Sequence, residues 1–345
     1  MIDLLKQRVY TVVMITRRKE HTMLTANNKR NARENVPIFF AVDDNYVPYR
    51  AVALRSLIDN ASPDYDYDIH ILIDKLSDEN LMNLSSFEGQ NVKVHFVNVA
   101  SRLDSLGSVI HLRDYYTKAT YYRFFIPELF PQYTKGIYLD CDLLILGDIS
   151  ELYRMDISRL LVAAAREEVM ANVPVFGEYA EQVVGVPCEY YFNAGMLLMN
   201  LEEMRRMHLE DEFVELLGEK AFRVTQDQDY LNVLCSDRAL LVNQSWNMTA
   251  YPDGSCIEPK IVHFKINYKP WRYDGVMCED EFWSYARKTA YYEKLRNEKK
   301  NYSEAEKARD AKMYADLMEL ARTELEAYYA DDIVIDNCLK EALGV

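Results

Sequence analysis

Gly136-Ile-Tyr-Leu-Asp-Cys-Asp-Leu-Leu-Ile-Leu146 is a short apolar run interrupted by two carboxylates, Asp140 and Asp142. The run before the acids, Gly136–Leu139, has the length and composition of a buried strand. Working back from it, Lys118–Phe125 carries a helical pattern, and Val92–Val97 alternates with Val92, Val94 and Phe96 on one face. Before that, Ser77 caps a helix whose first turn holds Asp78 and Glu79, matching the positive end of the helix dipole. Asp68–Ile73 reads as a strand, Tyr49–Ile58 as a helix and Ile38–Val42 as a strand. Strands alternating with helices at this spacing predict an α/β protein with a mostly parallel, doubly wound sheet flanked by helices. Ligands in such sheets bind beyond the carboxyl ends of the strands, which is where Asp43-Asp44 and Asp140/Asp142 fall.

Downstream, Leu161–Ala165 is a strand, Phe192-Asn-Ala-Gly195 ends one strand approach and begins another at Met196–Asn200, and Tyr230–Cys235 is helical. From about Trp283 the chain is charged and nearly free of glycine. Helices are expected at Tyr292–Asn301 and Ser303–Tyr329, the latter opened by a Ser303/Glu306 capping box. Residues 1–36 reverse the charge balance, with eight Lys/Arg against three Asp/Glu, and are expected to be a basic extension. The organisation expected is therefore 1–36 extension, 37–285 α/β domain and 286–345 helical extension.

Composition narrows the function. The 345 residues carry 55 acidic and 40 basic side chains, a net charge of −15. That balance is poor for gripping a phosphate backbone, so nucleic acid is not an expected partner. No apolar run approaches the roughly 20 residues of a bilayer span, and no signal peptide is read near Tyr10–Ile15. The six cysteines (141, 188, 235, 256, 278, 338) lack disulfide or zinc spacing, which suits free thiols and a cytoplasmic location.

Two carboxylates at i and i+2 after a buried strand are costly unless a cation or donors compensate them. Both can reach one hard divalent ion, Mn²⁺ or Mg²⁺, where the backbone turns. Alone, the spacing also suits a surface loop. His263, in Ile261-Val-His-Phe-Lys-Ile-Asn-Tyr-Lys-Pro-Trp271, would complete an Asp/Asp/His set, with Lys265 and Lys269 to neutralise a diphosphate. Gln226-Asp-Gln-Asp229 opens a helix with more polar groups than a cap needs. A phosphate-binding glycine loop, a G-x-S-x-G elbow and an H-E-x-x-H helix are all missing from the sequence.

Six blocks in order carry a resemblance: Phe40-Ala-Val-Asp-Asp-Asn-Tyr46, Tyr121-Tyr-Arg123, Tyr138-Leu-Asp-Cys-Asp142, Tyr191-Phe-Asn-Ala-Gly195, Asp227-Gln-Asp229 and His263 through Lys269-Pro-Trp271. The chain from Pro37 to Trp283 resembles glycosyltransferase family 8, retaining transferases that include bacterial lipooligosaccharide galactosyltransferases and glycogenin. The resemblance implies a GT-A fold and a metal-dependent hexosyltransferase moving galactose or glucose from a UDP-sugar to a glycan or lipopolysaccharide-type acceptor. It implies Asp140, Asp142 and His263 as ligands of Mn²⁺ or Mg²⁺, and Ala41, Asp43, Asn45, Tyr46 and Cys141 at the nucleotide. Arg123, Asn193, Ala194 and Gly195 fall at the donor sugar, Asp227 and Gln228 at the reacting centre, and Lys269 at the diphosphate. Glu167 or Glu168 falls near the acceptor or sugar. Ile266 stands where relatives often have glycine. Two other readings stay open: a catalytically silent nucleotide-sugar or glycan-binding module, and a sugar nucleotidyltransferase. Peripheral contact with the inner face of a membrane and the oligomeric state also stay open.

Overall fold

Ten strands follow one another in the computed structural model, which describes residues 33–104, 118–251, 258–265 and 267–343. Ile266, Cys256 and residues 1–32 of the expected extension lie outside the described residues. The strands are β1 (Glu34–Ala41), β2 (Tyr65–Ile73), β3 (Val92–Asn98), β4 (Gly136–Leu139), β5 (Leu143–Ile145), β6 (Val162–Arg166), β7 (Phe192–Met199), β8 (Ala239–Val242), β9 (Met248–Thr249) and β10 (Ile261–His263). Seven form one sheet in the order β3-β2-β1-β4-β7-β6-β8, and β5-β10-β9 form a second, smaller one.

The large sheet is mostly parallel, as the alternating pattern predicts. β1 runs parallel to β4, β2 to β3 and β6 to β8, while β7 is antiparallel to both β4 and β6. Successive residues of β1 and β4 feed opposite cores. Ile38, Phe40, Ile137 and Leu139 pack on one face, and Phe39, Ala41 and Tyr138 on the other. A sheet covered on both faces needs apolar residues throughout its central strands, which is why these segments read as unbroken apolar runs. Gly136 leaves room for its neighbour, because a Cβ there would stand 2.4 Å from the Phe39 ring.

Three local expectations change. β1 begins at Glu34, ahead of the apolar run at Ile38. Lys118–Phe125 is a 3-10 segment that buries Tyr121, Tyr122, Phe124 and Phe125, a tighter coil than the expected α-helix. Phe192–Met199 is one continuous strand, not two meeting at Gly195. Its first residue is pinned from the side: Asn232 accepts from the Phe192 N–H (2.8 Å) and donates to the Phe192 carbonyl (2.9 Å).

The chain leaves the large sheet at Leu139 and enters the small one at Leu143, so Asp140-Cys-Asp142 is the junction between the two. The far end of β5 is tied to the helix Val47–Asn60, where Ser56 Oγ accepts from the Ile145 N–H (3.0 Å). At the C-terminal end, the helices Glu279–Ala286, Tyr292–Asn301 and Glu304–Leu343 follow. The last is capped as expected, with Ser303 N–H donating to the Glu306 carboxylate (2.7 Å) and Ser303 Oγ accepting from the Glu306 N–H (3.3 Å). Among the described residues no helix is long and apolar enough to cross a membrane.

Candidate active site

The antiparallel pairing of β5 with β10 sets Leu143 opposite His263 and carries the imidazole to the sheet junction. Phe264 N–H bonds to the Asp142 carbonyl (2.9 Å) and Asp140 N–H to the Gly195 carbonyl (2.8 Å), which locks the three segments together. One side-chain donor atom from each of Asp140, Asp142 and His263 then lies within 4.8 Å of the other two. His263 Nε2 is 3.2 Å from Asp142 Oδ1 and 3.9 Å from Asp140 Oδ2. The other ring nitrogen is oriented from behind. Asn247 donates through Nδ2 to Asn193 Oδ1 (2.7 Å), so its Oδ1 is the atom turned to His263 Nδ1 (3.0 Å). Nδ1 is therefore the donor to Asn247, and Nε2 is the ring nitrogen that faces the two carboxylates. Gly195 makes the approach possible, since a Cβ there would meet His263 Cε1 at 2.3 Å and Asp140 Oδ2 at 2.8 Å.

The charges around this set are balanced by two buried cations. Arg123 lies over the Tyr138 ring (4.2 Å) and spans Asp140 (Nη2 to Oδ1, 3.0 Å) and Asp227 (Nε to Oδ2, 3.2 Å), while Nη1 donates to the Ala194 carbonyl. Tyr138 OH donates to the same Asp140 oxygen (3.0 Å). Lys269 Nζ bonds to Asp142 Oδ2 (2.9 Å) and the Phe264 carbonyl (2.7 Å). Burial would raise the Asp142 carboxyl, but Lys269 and His263 outweigh it and hold it well below the ordinary carboxylate range. Asp227 goes the other way. Burial pushes it up to about 6, with Arg123 and a hydrogen bond from Thr120 (2.7 Å) opposing.

Asn193 and Gln228 form an amide pair beside the junction. Gln228 Oε1 accepts from Asn193 Nδ2 (3.1 Å) and from the Ala194 N–H (3.0 Å), while Asn193 Nδ2 also donates to Glu167. Burial would raise Glu167, but Lys265, Asn193 and the Val169 N–H hold its carboxyl below the ordinary range. At the other end, Asp43 Oδ1 accepts from the N–H groups of Asn45 (2.9 Å) and Tyr46 (3.2 Å), and Cys141 Sγ donates to the Ala41 carbonyl (3.0 Å). Burial raises the Cys141 thiol to about 12, which keeps it protonated.

These residues surround a cavity of about 220 Å³. Of the residues expected from the sequence, Ala41, Asp43, Tyr46, Arg123, Asp140, Cys141, Asp142, Asn193, Ala194, Gly195, Asp227, Gln228 and His263 line it. Asn45 is exposed beside it, and Lys269 stands outside the lining on Asp142, whereas Lys265 lines the cavity and pairs with Glu167. Sequence reading missed Thr120, Tyr138 and Asn247. Tyr138 had a signal, because residues i and i+2 of a strand share a face. Asn247 had none, lying 16 residues from its partner. It also missed Met313, Tyr314 and Leu317, which wall the cavity from the C-terminal helix.

The family model described as Glycosyl transferase family 8 matches residues 37–275. The chain belongs to glycosyltransferase family 8. A Haemophilus influenzae relative is 30% identical over 221 residues, 63% of this chain and 64% of that protein. General stress protein A of Bacillus subtilis is 26% identical, covering 69% of this chain and 88% of its own. The lipopolysaccharide 1,2-glucosyltransferase of Escherichia coli is 23% identical over 70% of this chain and 74% of its own. Among solved structures, the bifunctional glycosyltransferase WbbM superposes with a TM-score of 0.67 at 24% identity, covering 78% of this chain and 52% of its own. The galactosyltransferase LgtC, solved with donor and acceptor sugar analogs, gives 0.62 at 25% identity, covering 76% of this chain and all of its own. The mostly parallel sheet with its C-terminal helices is thus the GT-A arrangement, and the chain spans just under two thirds of the length of the Haemophilus influenzae relative.

Proposed function

We propose that this family 8 chain is a divalent-metal-dependent, retaining transferase that moves galactose or glucose from a UDP-sugar to a glycan or lipopolysaccharide-type acceptor. The observation that carries the reading is the convergence of Asp140, Asp142 and the correctly oriented His263 Nε2 on one point at the cavity wall. Two carboxylates and an imidazole suit Mn²⁺ or Mg²⁺, and the space at Gly195 that a Cβ would fill keeps the three donors together. Bound there, the ion would act as a Lewis acid toward the diphosphate.

The protein's own groups do the rest. Asp43, with Ala41, Asn45, Tyr46 and the Cys141 backbone, offers the pocket for the uracil and ribose. Arg123, Asn193, Ala194 and Gly195 orient the hexose, and Lys269, held on Asp142, adds positive charge at the diphosphate edge. Gln228 is a poor nucleophile, and its amide oxygen is already held by two donors. Retention is therefore assigned to front-face substitution: the acceptor hydroxyl attacks the side the leaving group vacates, and a β-phosphate oxygen takes its proton. Asp227 anchors Arg123 and borders the reacting centre.

The test is UDP release from a panel of UDP-sugars, with Mn²⁺ or with EDTA. One sugar should give manganese-dependent release, and Asp142→Asn should lower it at least about 100-fold. Absence of UDP–Mn²⁺ binding by calorimetry, or full activity of Asp142→Asn, would overturn the assignment.

A further inference from the structure

The cavity has two chemically different halves. The polar half is the sheet junction with its amides and carboxylates. The other is apolar, walled by Val169, Phe176, Val224, Met313, Tyr314 and Leu317. Three of these come from the helix Glu304–Leu343, which lies wholly beyond residue 275, where the family match ends. A UDP-sugar has no use for a second apolar wall once its base and hexose are placed at Asp43–Tyr46 and Asn193–Gln228.

We infer that this helix provides the acceptor platform, with the Tyr314 ring, flanked by Met313 and Leu317, stacking against the apolar face of the acceptor hexose. The inference rests on the transferase reading above and names where its second substrate sits. A pyranose presents C–H groups on its faces and hydroxyls around its rim, so it needs an apolar plate with polar groups at the edge. Tyr314 is half-buried, lines the cavity and meets Phe176 edge to face at 6.3 Å. Glu167, Lys265 and Asn267 line the same cavity and provide the polar edge. Glu167 bonds to Asn193, which bonds to Gln228, so a sugar on Tyr314 would lie one amide pair from the reacting centre.

The platform is fixed rather than loosely draped. Four residues before Tyr314, the buried Asp310 carboxylate accepts from Tyr273 OH (2.8 Å) and Tyr302 OH (2.6 Å). Asn267 Nδ2 donates to the Asp310 carbonyl (3.2 Å), joining the helix to a residue of the cavity wall. Beyond Tyr314, Ala321 and Leu325 are buried in the core, and Tyr329 OH donates to Glu178 (2.8 Å). One edge of the site is therefore made by a segment outside the family core, which makes Tyr314 a specificity-determining residue.

The test uses the full chain with Mn²⁺ and the donor sugar it accepts, and reads transfer to the methyl and p-nitrophenyl glycosides of galactose and glucose and to lactose. For the best acceptor, Tyr314→Ala should raise KM about tenfold or more, equivalent to 1.4 kcal/mol or more. Tyr314→Phe should restore KM to within about twofold, since the ring is what stacks. The Kd for UDP–Mn²⁺ should change less than about twofold in both, which a merely structural role would not give. An unchanged acceptor KM in Tyr314→Ala overturns the inference. So does equal loss of UDP affinity, failure of Phe to rescue, or a wild-type chain that binds and hydrolyses donor yet glycosylates none of these sugars. A chain that binds no UDP–Mn²⁺ overturns the transferase reading instead.

Discussion

Gly195 shows how much of the site depends on one missing methyl group. Its Cα faces both Asp140 and His263, and a Cβ would sit inside the imidazole's van der Waals envelope. Gly195→Ala must push His263 or Asp140 away, at a cost of about 1–3 kcal/mol of stability. Titration of free Mn²⁺ by electron paramagnetic resonance should show affinity reduced at least about 100-fold in a chain that still folds; wild-type affinity would show that these residues do not form the ion site. Asn247 offers a milder version of the experiment. It touches no ligand position but orients His263 through Nδ1, so Asn247→Ala should weaken Mn²⁺ about 10- to 100-fold. Unchanged affinity would mean that the ring is held by its packing alone. These two residues also mark the limit of what the sequence discloses. Gly195 could be singled out because a small residue beside an amide at a strand end suggests close approach. Asn247 could not, because its role depends on β9 pairing with β10, and a two-residue strand leaves no periodic trace.

Strands with longer patterns were legible as elements. β2 and β3 were read from alternation, and their register sets His70 beside His95. The rings stack at 4.9 Å, and His70 Nε2 contacts Tyr133 OH (3.1 Å). Burial, helped by the neighbouring His95, lowers His70 from its ordinary 6.5 to about 4, while Asp68 opposes. The unfolded chain therefore takes up a proton between pH 6.5 and 4 that the folded chain refuses, and stability falls as pH falls through that window. A shift of that size corresponds to on the order of 3 kcal/mol, complete near pH 4. Asp68 adds to the acid loss at lower pH, because hydrogen bonding to His95, outweighing burial, holds its carboxyl far below the ordinary range. Urea unfolding at pH 7.5 and pH 5 should show this loss, and His70→Phe should remove most of it while costing about 1 kcal/mol at pH 7.5 through the lost Tyr133 contact. An undiminished pH slope in His70→Phe would place the proton elsewhere. By contrast, the 3-10 form of Lys118–Phe125 was not legible. Its apolar spacing fits a helix, and only the packing of Tyr121, Phe124 and Phe125 into the core selects the tighter coil.

At the scale of the molecule, the question is whether the helical segment 286–345 is an appendage or part of the folding unit. Its charged, glycine-poor composition gives no sign of a core, because a helix needs only a few inward residues to be tied down. The structure supplies those residues: Ala321 and Leu325 are buried among the side chains that cover one face of the large sheet, and Asn35–Val345 forms one compact unit. Asp310 is the polar tie, nearly inaccessible and holding two phenols, with the Arg272 guanidinium 3.8 Å away. Removing its carboxylate in Asp310→Ala takes the acceptor from two half-buried phenols, while Arg272 keeps Glu298, at a cost of about 3 kcal/mol. If helix and sheet melt together, calorimetry of the wild-type chain should show one transition, and Asp310→Ala should lower it by on the order of 5 °C without splitting it. A separate low-temperature transition that alone moves with Asp310→Ala would make the segment an independent appendage. It would also deprive Tyr314 of the rigid support that an acceptor platform requires, so the melting experiment bears on the site as directly as on the fold.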